Sequence, residues 1–441
     1  MSLRVNLKPV FVSYERAFFR ELPSEEEVRR RAEEILSELS SKLSGDARLL
    51  EPYFLTGPEG LEGLRGELSG DVDAVIVYRV GGMAHRLIAA VGMLGPPLIM
   101  VGPGVLNHDI VAYLRHRGRE AYAPVGYDEL NRLVRHLKVR KALRLSRVLV
   151  VTSSGLPSPS VISSAYDLEA LKAKFGLDSV VVPTEELLRR FESVPPDRED
   201  VRKLVDELTS GAHRVEVSGD NLERCVRLYV ALKELMREHS ASAVTVSCAE
   251  PAFYEHRVTP CLAFSLLNDE GTPAACEADL SALLAIMLLS LLAERPAMMG
   301  NLWLHDAREN VIRISHDVPP TRPRGFGEPR ERYELHDFHE RGYGATLYVH
   351  SWVGEAVTFA RVHADLSRVL VGVGEVLASH EGISCRQTLD IRVEDARRLI
   401  KRVSEYGHHF ALVLGDYAEE LAELGDVLGL EVEVASESPR G

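Results

Sequence analysis

Along the first third of the chain, short β-branched runs alternate with stretches whose apolar residues recur every three or four positions. The first run covers 10–12, and the helical pattern after it opens at Pro23-Ser24, where Ser24 and Glu27 stand at capping-box spacing. The runs DVDAVIVYRV (71–80) and PPLIMVGPG (96–104) flank an apolar segment at 83–94. Strand, helix, strand in that order predicts a parallel sheet with right-handed crossovers, in a first α/β domain over 1–145.

A second α/β domain over 146–295 opens with RVLVVTSSG (147–155), a continuous β-branched run of the kind found in buried parallel strands. It continues through SVVVP (179–183), helices at 185–192 and 198–208, RVEVS (214–218), a long helix at 221–238 and AVTVSC (243–248), and closes with the apolar helix 280–293. From 296 to 441 the pattern changes. The runs ATLYVHSWV (345–353), AVTFARVH (356–363) and RVLVGVGEVL (368–377), joined by short Gly-containing turns, predict antiparallel strands. The stretch 318–330 reads as an exposed connector, and a last helix at 416–428 leads into LEVEVA.

Composition narrows the function. In 441 residues, 52 Lys+Arg face 66 Asp+Glu, a net charge of −14, which disfavours nucleic acid or an anionic membrane as partner. Ten Lys/Arg fall between 115 and 147 against three acids, but at helical spacing, as in a solvated helix or a subunit contact. Five cysteines without any CxxC indicate neither a disulfide framework nor a thiolate zinc site, and fit a reducing cytoplasm. The N-terminal MSLRVNLKPVFVSYERAFF lacks the apolar core of a signal peptide, and 280–293 is too short to span a bilayer. A cytoplasmic protein without a membrane partner is expected.

Three windows carry candidate chemistry. In PCLAFSLLNDEGTPAACEADLSALL (260–284), Glu277 and Asp279 precede the apolar helix. Capping explains Asp279, whereas Glu277, after Ala274, Ala275 and Cys276, reads as a carboxylate in a tight, largely apolar crevice, suited to metal binding or an altered proton affinity. In GNLWLHDARENVIRISHDVPP (300–320), a hairpin turning at Arg308-Glu309-Asn310 puts Trp303 and Ile312 inward and leaves His316 at a strand end, with Asp317 beside it either as the orienter of a ligand or, the preferred reading, as a turn residue. In YGHHFALVLGDYAEEL (406–421), only one of His408 and His409 can face inward, and His409 is preferred. Glu277, His316 and His409 form an oxygen and imidazole set suited to Mn²⁺ or a similar divalent ion, with no cysteine cluster competing. Such an ion across two sugar oxygens, with a carboxylate moving a proton between C1 and C2, performs aldose–ketose isomerisation through an enediol.

These windows, in this order, resemble the L-fucose isomerase and L-arabinose isomerase superfamily, and GEAVTFARVHADLSRVLVGVGEVL and CRQTLDI (385–391) are similar to its C-terminal β domain. The resemblance covers about 243–430. It implies two Rossmann-like α/β domains followed by a β-barrel-like domain, a homo-oligomer (trimer or hexamer) with sites between subunits, a sugar or sugar-like substrate, and Mn²⁺. Glu277 matches the family's metal-binding, proton-transferring glutamate, His409 its late metal-binding histidine and His316 the histidine ligand of the arabinose branch. His408 and Trp303 are the candidates for substrate contact. Where the fucose branch has a second catalytic aspartate this chain has Asn301, which can coordinate through its carbonyl but accepts no proton near neutral pH. Asp306 or Asp279 takes that role, or the proton travels another way. The competing readings are a non-catalytic or diverged sugar-binding relative, and a nucleotide enzyme using Gly102-Pro103-Gly104 or Gly372-Val373-Gly374.

Overall fold

Parallel strands carry the first of two units in the computed structural model, which describes residues 3–14, 21–382 and 385–436. The units are Met1–Ala142 and Leu143–Gly441. Part of the N-terminal stretch 1–19, read above as lacking a signal-peptide core, lies outside the described residues. In the first unit, β1 (Val5–Tyr14) leads through α1 (Glu25–Lys42) to β2 (Ala47–Leu49) and β3 (Tyr53–Leu55), both beside β1. After α2 (Leu61–Leu68) come β4 (Ala74–Gly82), α3 (His85–Gly92), β5 (Leu98–Ile99), α4 (Val105–His116), β6 (Ala121–Tyr122) and α5 (Tyr127–Leu145). The strand order is β2-β1-β4-β5-β6, every pair parallel. Val10, Val12, Val75, Val77, Ile88 and Leu114 meet in its core. The capping box at α1 forms as expected: the Ser24 hydroxyl accepts from the Glu27 N–H and the Glu27 carboxylate accepts from the Ser24 N–H. Several bases of the 115–147 stretch are spent on internal pairs, Lys138 with Asp46, Arg140 with Glu120 and Lys141 with Asp73.

The second unit opens with β7 (Arg147–Val151), α6 (Leu168–Phe175), β8 (Asp178–Val182), α7 (Thr184–Ser193), α8 (Glu199–Gly211), β9 (Arg214–Val215), α9 (Gly219–Glu238) and β10 (Ala243–Val246). It continues with α10 (Pro251–Glu255), α11 (Cys261–Asp269), β11 (Ala274–Cys276) and α12 (Leu280–Ala293). Its parallel sheet has the order β11-β10-β7-β8. The 214–218 segment is not part of this sheet. Arg214 and Val215 are exposed and pair with β14 (Tyr333–His336), so the edge position goes to β11, whose Ala274, Ala275 and Cys276 are all buried.

The rest of the chain closes into a barrel. β12 (Met298–Asp306) and β13 (Val311–His316) form a hairpin, and β14 with β15 (Thr346–Val349) forms a small separate sheet with β9. Then come β16 (Ala356–Val362), β17 (Arg368–Glu381), β18 (Gln387–Arg392), α13 (Ala396–Tyr406), β19 (His409–Leu414), α14 (Ala418–Leu428) and β20 (Glu431–Ser436). The antiparallel order β16-β19-β12-β13-β18-β17 returns to β16 through a β16–β17 ladder, and β20 joins β17 in parallel. Met298, Ile314, Trp352, Phe359 and Phe410 fill its core. The helix α12, apolar all round, packs against β11 on the sheet side and against β16 and β19 on the barrel side, so its first turn lies where parallel sheet and barrel meet. This arrangement is the α/β class with a C-terminal β-rich, barrel-like part that the sequence pattern and the resemblance lead one to expect. Among the described residues no helix is long and apolar enough to cross a membrane.

One reading of the strands changes. Ile312 is fully buried, but Trp303 is 41 % exposed: across the hairpin Leu302 faces Ile314 and Leu304 faces Ile312, and strand alternation sends Trp303 to the other face, opposite Arg313. Gly372 and Gly374 lie inside β17, where an added Cβ would come within 2.5 Å of the Phe359 ring and of the Arg392 carbonyl respectively. They allow close strand packing and cradle no phosphate.

Candidate active site

The site is built at the end of β11. Glu277 and Ala278 take left-handed backbone angles, φ +60° and +50°, each a conformation that costs a non-glycine residue about 1–3 kcal/mol. This double turn puts Glu277 in the crevice and delivers Asp279 to the N-cap of α12, where its Oδ1 accepts from the Ala282 N–H at 2.9 Å. The other Asp279 oxygen accepts from Arg361 Nη1 at 2.8 Å and lies 3.0 Å from His409 Nδ1. Asp279, Arg361 and His409 are all fully buried. Burial pushes the Asp279 carboxyl up, but the Arg361 guanidinium and His409 outweigh it and hold the group well below the usual carboxylate range. Asp279 is therefore a cap, a counter-ion and an orienter of His409, with no proton to exchange at neutral pH.

Three neighbouring barrel strands supply the opposite wall. On β19, His409 pairs across the ladder with Asn301 of β12, which pairs with Ser315 of β13, directly before His316. His409 Nε2 stands 4.0 Å and His316 Nε2 3.9 Å from Glu277 Oε1, and the two imidazole centroids are 5.5 Å apart. Two nitrogens here are buried without a hydrogen-bond partner, His409 Nε2 and His316 Nδ1. Burial, with His409 beside it, depresses the His316 pKa to about 3, so this imidazole stays neutral and keeps a lone pair. Burial pushes the Glu277 carboxyl up, only partly countered by His409. A carboxylate, two buried imidazoles and an aspartate fixing the far nitrogen of one of them form a donor set fit for a divalent cation. A buried Nε2 lone pair left without a partner costs free energy.

The structure thus brings together Glu277, His316, His409 and Asn301, whose Nδ2 is 3.4 Å from the Ser315 carbonyl. It does not bring in the other two. Asp306 is at the far end of the hairpin, five ladder positions from His316, where its carboxylate accepts the N–H groups of Arg308 and Glu309 and is lowered by those two bonds. Trp303 is on the outer face of the same hairpin. His408 is exposed beside the site, its ring centroid 4.3 Å from that of His409.

A cavity of about 180 Å³ opens on this cluster. Its walls include Phe253, Val258, Pro260, Phe338 and Tyr343, with Glu277, Asn301, His316, Asp317, His339, Cys248 and Cys276 as polar or reactive lining. Asp317 is more than a turn residue: it is buried, accepts from the Arg386 N–H at 2.8 Å and holds His339 Nε2 at 2.7 Å. His339, from the irregular segment after β14, stacks on Phe338 at 3.8 Å. Sequence reasoning missed Arg361, His339 and the two cysteines. Arg361 had a signal, a cation within an otherwise apolar strand run. The others had none, because only the folded chain brings segments 22 and 28 residues apart into contact.

No protein-family model matches the chain. It is similar to three curated enzymes named sulfoquinovose isomerase. That of Clostridium sp. (strain MSTE9) is 25% identical over 61% of this chain and 61% of its own length. Those of Priestia aryabhattai and Alkalicoccus urumqiensis are each 23% identical over 69% of this chain and 68% of their own length. The match to the first of these therefore spans about three fifths of that relative.

Proposed function

We propose that this cleft is the active site of a metal-dependent aldose–ketose isomerase acting on a sugar, in a cytoplasmic homo-oligomer. The observation that carries the reading is His409, held by Asp279 through Nδ1 so that its buried, partnerless Nε2 points toward Glu277. The sugar isomerases among its relatives, and the resemblance of the three site segments to the L-fucose isomerase superfamily, support it. Glu277, His316 and His409 would hold the ion, Mn²⁺ or similar, with Asn301 adding a carbonyl oxygen. Bound there, the ion supplies Lewis-acid polarisation of the sugar carbonyl.

The proton work falls to the chain's own groups. Glu277, with its raised proton affinity, takes the C2 proton of the open-chain aldose and returns it to C1, passing through an enediol. The second group, moving the hydroxyl proton, is His339 rather than the residue at 301: Asp317 fixes its Nε2 as a carboxylate fixes a catalytic imidazole, and both line the cavity. The apolar walls keep bulk water from the reacting carbons. Among its described lining residues there is no Arg or Lys to meet a sulfonate, so a sugar without a full negative charge fits this lining best.

The test is exchange of the C2 proton into deuterated water, run with neutral aldoses and with sulfoquinovose. Wild type is expected to exchange, and Glu277→Gln to lose exchange at least ~100-fold while keeping its fold. Full activity in that variant would refute the role of Glu277. A second reading, a sugar binder without turnover, draws on Asn301 in place of a carboxylate; it predicts ligand-induced thermal stabilisation without exchange.

A further inference from the structure

The sequence spacing shows no cysteine cluster, yet two thiols meet at the proposed metal site. Cys276, last residue of β11, pairs with Val246 of β10, and the chain beyond Val246 folds back, with the Cys248 N–H donating to the Val246 carbonyl at 2.9 Å. That turn brings Cys248 Sγ to 2.9 Å from Cys276 Sγ. Both cysteines are free and both line the cavity. Ligand atoms of Cys276, Glu277 and His316 all lie within 4.8 Å of one another. Tetrahedral bonds of about 2.0–2.3 Å place donor atoms within about 4 Å of each other, so small side-chain adjustments bring these three onto one ion.

We propose that this cleft contains two overlapping donor sets, and that a thiophilic divalent cation such as Zn²⁺ or Co²⁺ is captured by Cys276, Glu277 and His316, with Cys248 as fourth donor. This rests on the reading of Glu277 and His316 as metal ligands and adds the thiols to it. The oxygen and imidazole set, completed by His409, suits Mn²⁺; the thiolate set suits the softer ion, and the two share Glu277 and His316. Binding is an exchange of ion for protons: each cysteine gives up its S–H proton to solvent and forms a metal–sulfur bond, with no change in oxidation state. Because the soft ion occupies Glu277 and His316, it excludes the ion that turnover needs, and zinc is an inhibitor of turnover.

The probe is Co²⁺, titrated into the full-length, chelator-stripped chain with a phosphine reductant. A thiolate-to-cobalt charge-transfer band in the near ultraviolet is expected. It should be lost in Cys276→Ser, reduced in Cys248→Ser, kept in His409→Ala, and displaced by Zn²⁺. If Cys276→Ser fails to fold, alkylation of the wild type decides: Zn²⁺ should shield Cys248 and Cys276 from the reagent. Co²⁺ bound by calorimetry without the band, a band unchanged in both cysteine variants, or thiols equally reactive with and without Zn²⁺ would overturn the proposal. Mn²⁺-supported isomerisation in that event leaves the isomerase reading standing, whereas failure of every ion to bind removes both.

Discussion

Asp279 shows how much one residue does at this site. It caps a buried helix, neutralises a fully buried guanidinium and fixes the tautomer of His409, so its carboxylate is shared among three partners. Removing one member of a buried ion pair leaves the other charge stranded. Asp279→Asn is expected to cost about 3–5 kcal/mol at pH 7, read by urea denaturation. The pH dependence has a definite sign. Because the folded Asp279 carboxyl titrates below its ordinary value of 3.8, its stabilisation is fully present above that value and is lost as pH falls below it. The gap between wild type and variant should be constant from pH 5 to 7 and shrink below about 4. A gap that widens in acid would show that Arg361 is neutralised by another group.

At the scale of elements, what periodicity reports is local and what it omits is contact between distant segments. The Ser24–Glu27 cap, the long helix α9 and the apolar helix α12 were all legible, because each is set by residues within a few positions of one another. The pairing of β9 with β14 was not, since the choice of partner depends on a strand about 120 residues away. Trp303 was misplaced because a large aromatic reads as core, while alternation along β12 had already assigned Leu302 and Leu304 to that face. The glycines of β17 lie in a run whose pattern already reads as a strand, and in the barrel they are strand-packing positions. Gly374→Ala would drive a Cβ to 2.5 Å from the Arg392 carbonyl, a backbone atom that can yield only by moving the β17–β18 ladder. A loss of about 1–3 kcal/mol is expected, measured as a lowered Tm with the metal site intact. An unchanged Tm would mean that the ladder gives way freely there.

The whole molecule places its chemistry where two kinds of sheet adjoin. The parallel sheet contributes β11 and, through its strained turn, Glu277; the barrel contributes His316, His409 and Asn301 from adjacent strands; α12 lies between and is capped by the residue that orients His409. The resemblance carried Glu277, His316 and His409 to one place because those residues sit in segments with recognisable local sequence. His339 and the Cys248–Cys276 pair belong to the tertiary structure alone, while Arg361 left one trace in the sequence, a cation within an apolar strand run. The central claim is that these segments build one metal site, and the direct measurement is calorimetric titration of Mn²⁺ into the chelator-stripped chain, with Glu277→Gln and His409→Ala in parallel. One ion per chain in the wild type, and loss of that binding in both variants, is the predicted result. No binding in the wild type, or binding unchanged in His409→Ala, would contradict it and leave the buried histidine nitrogens as features of the fold.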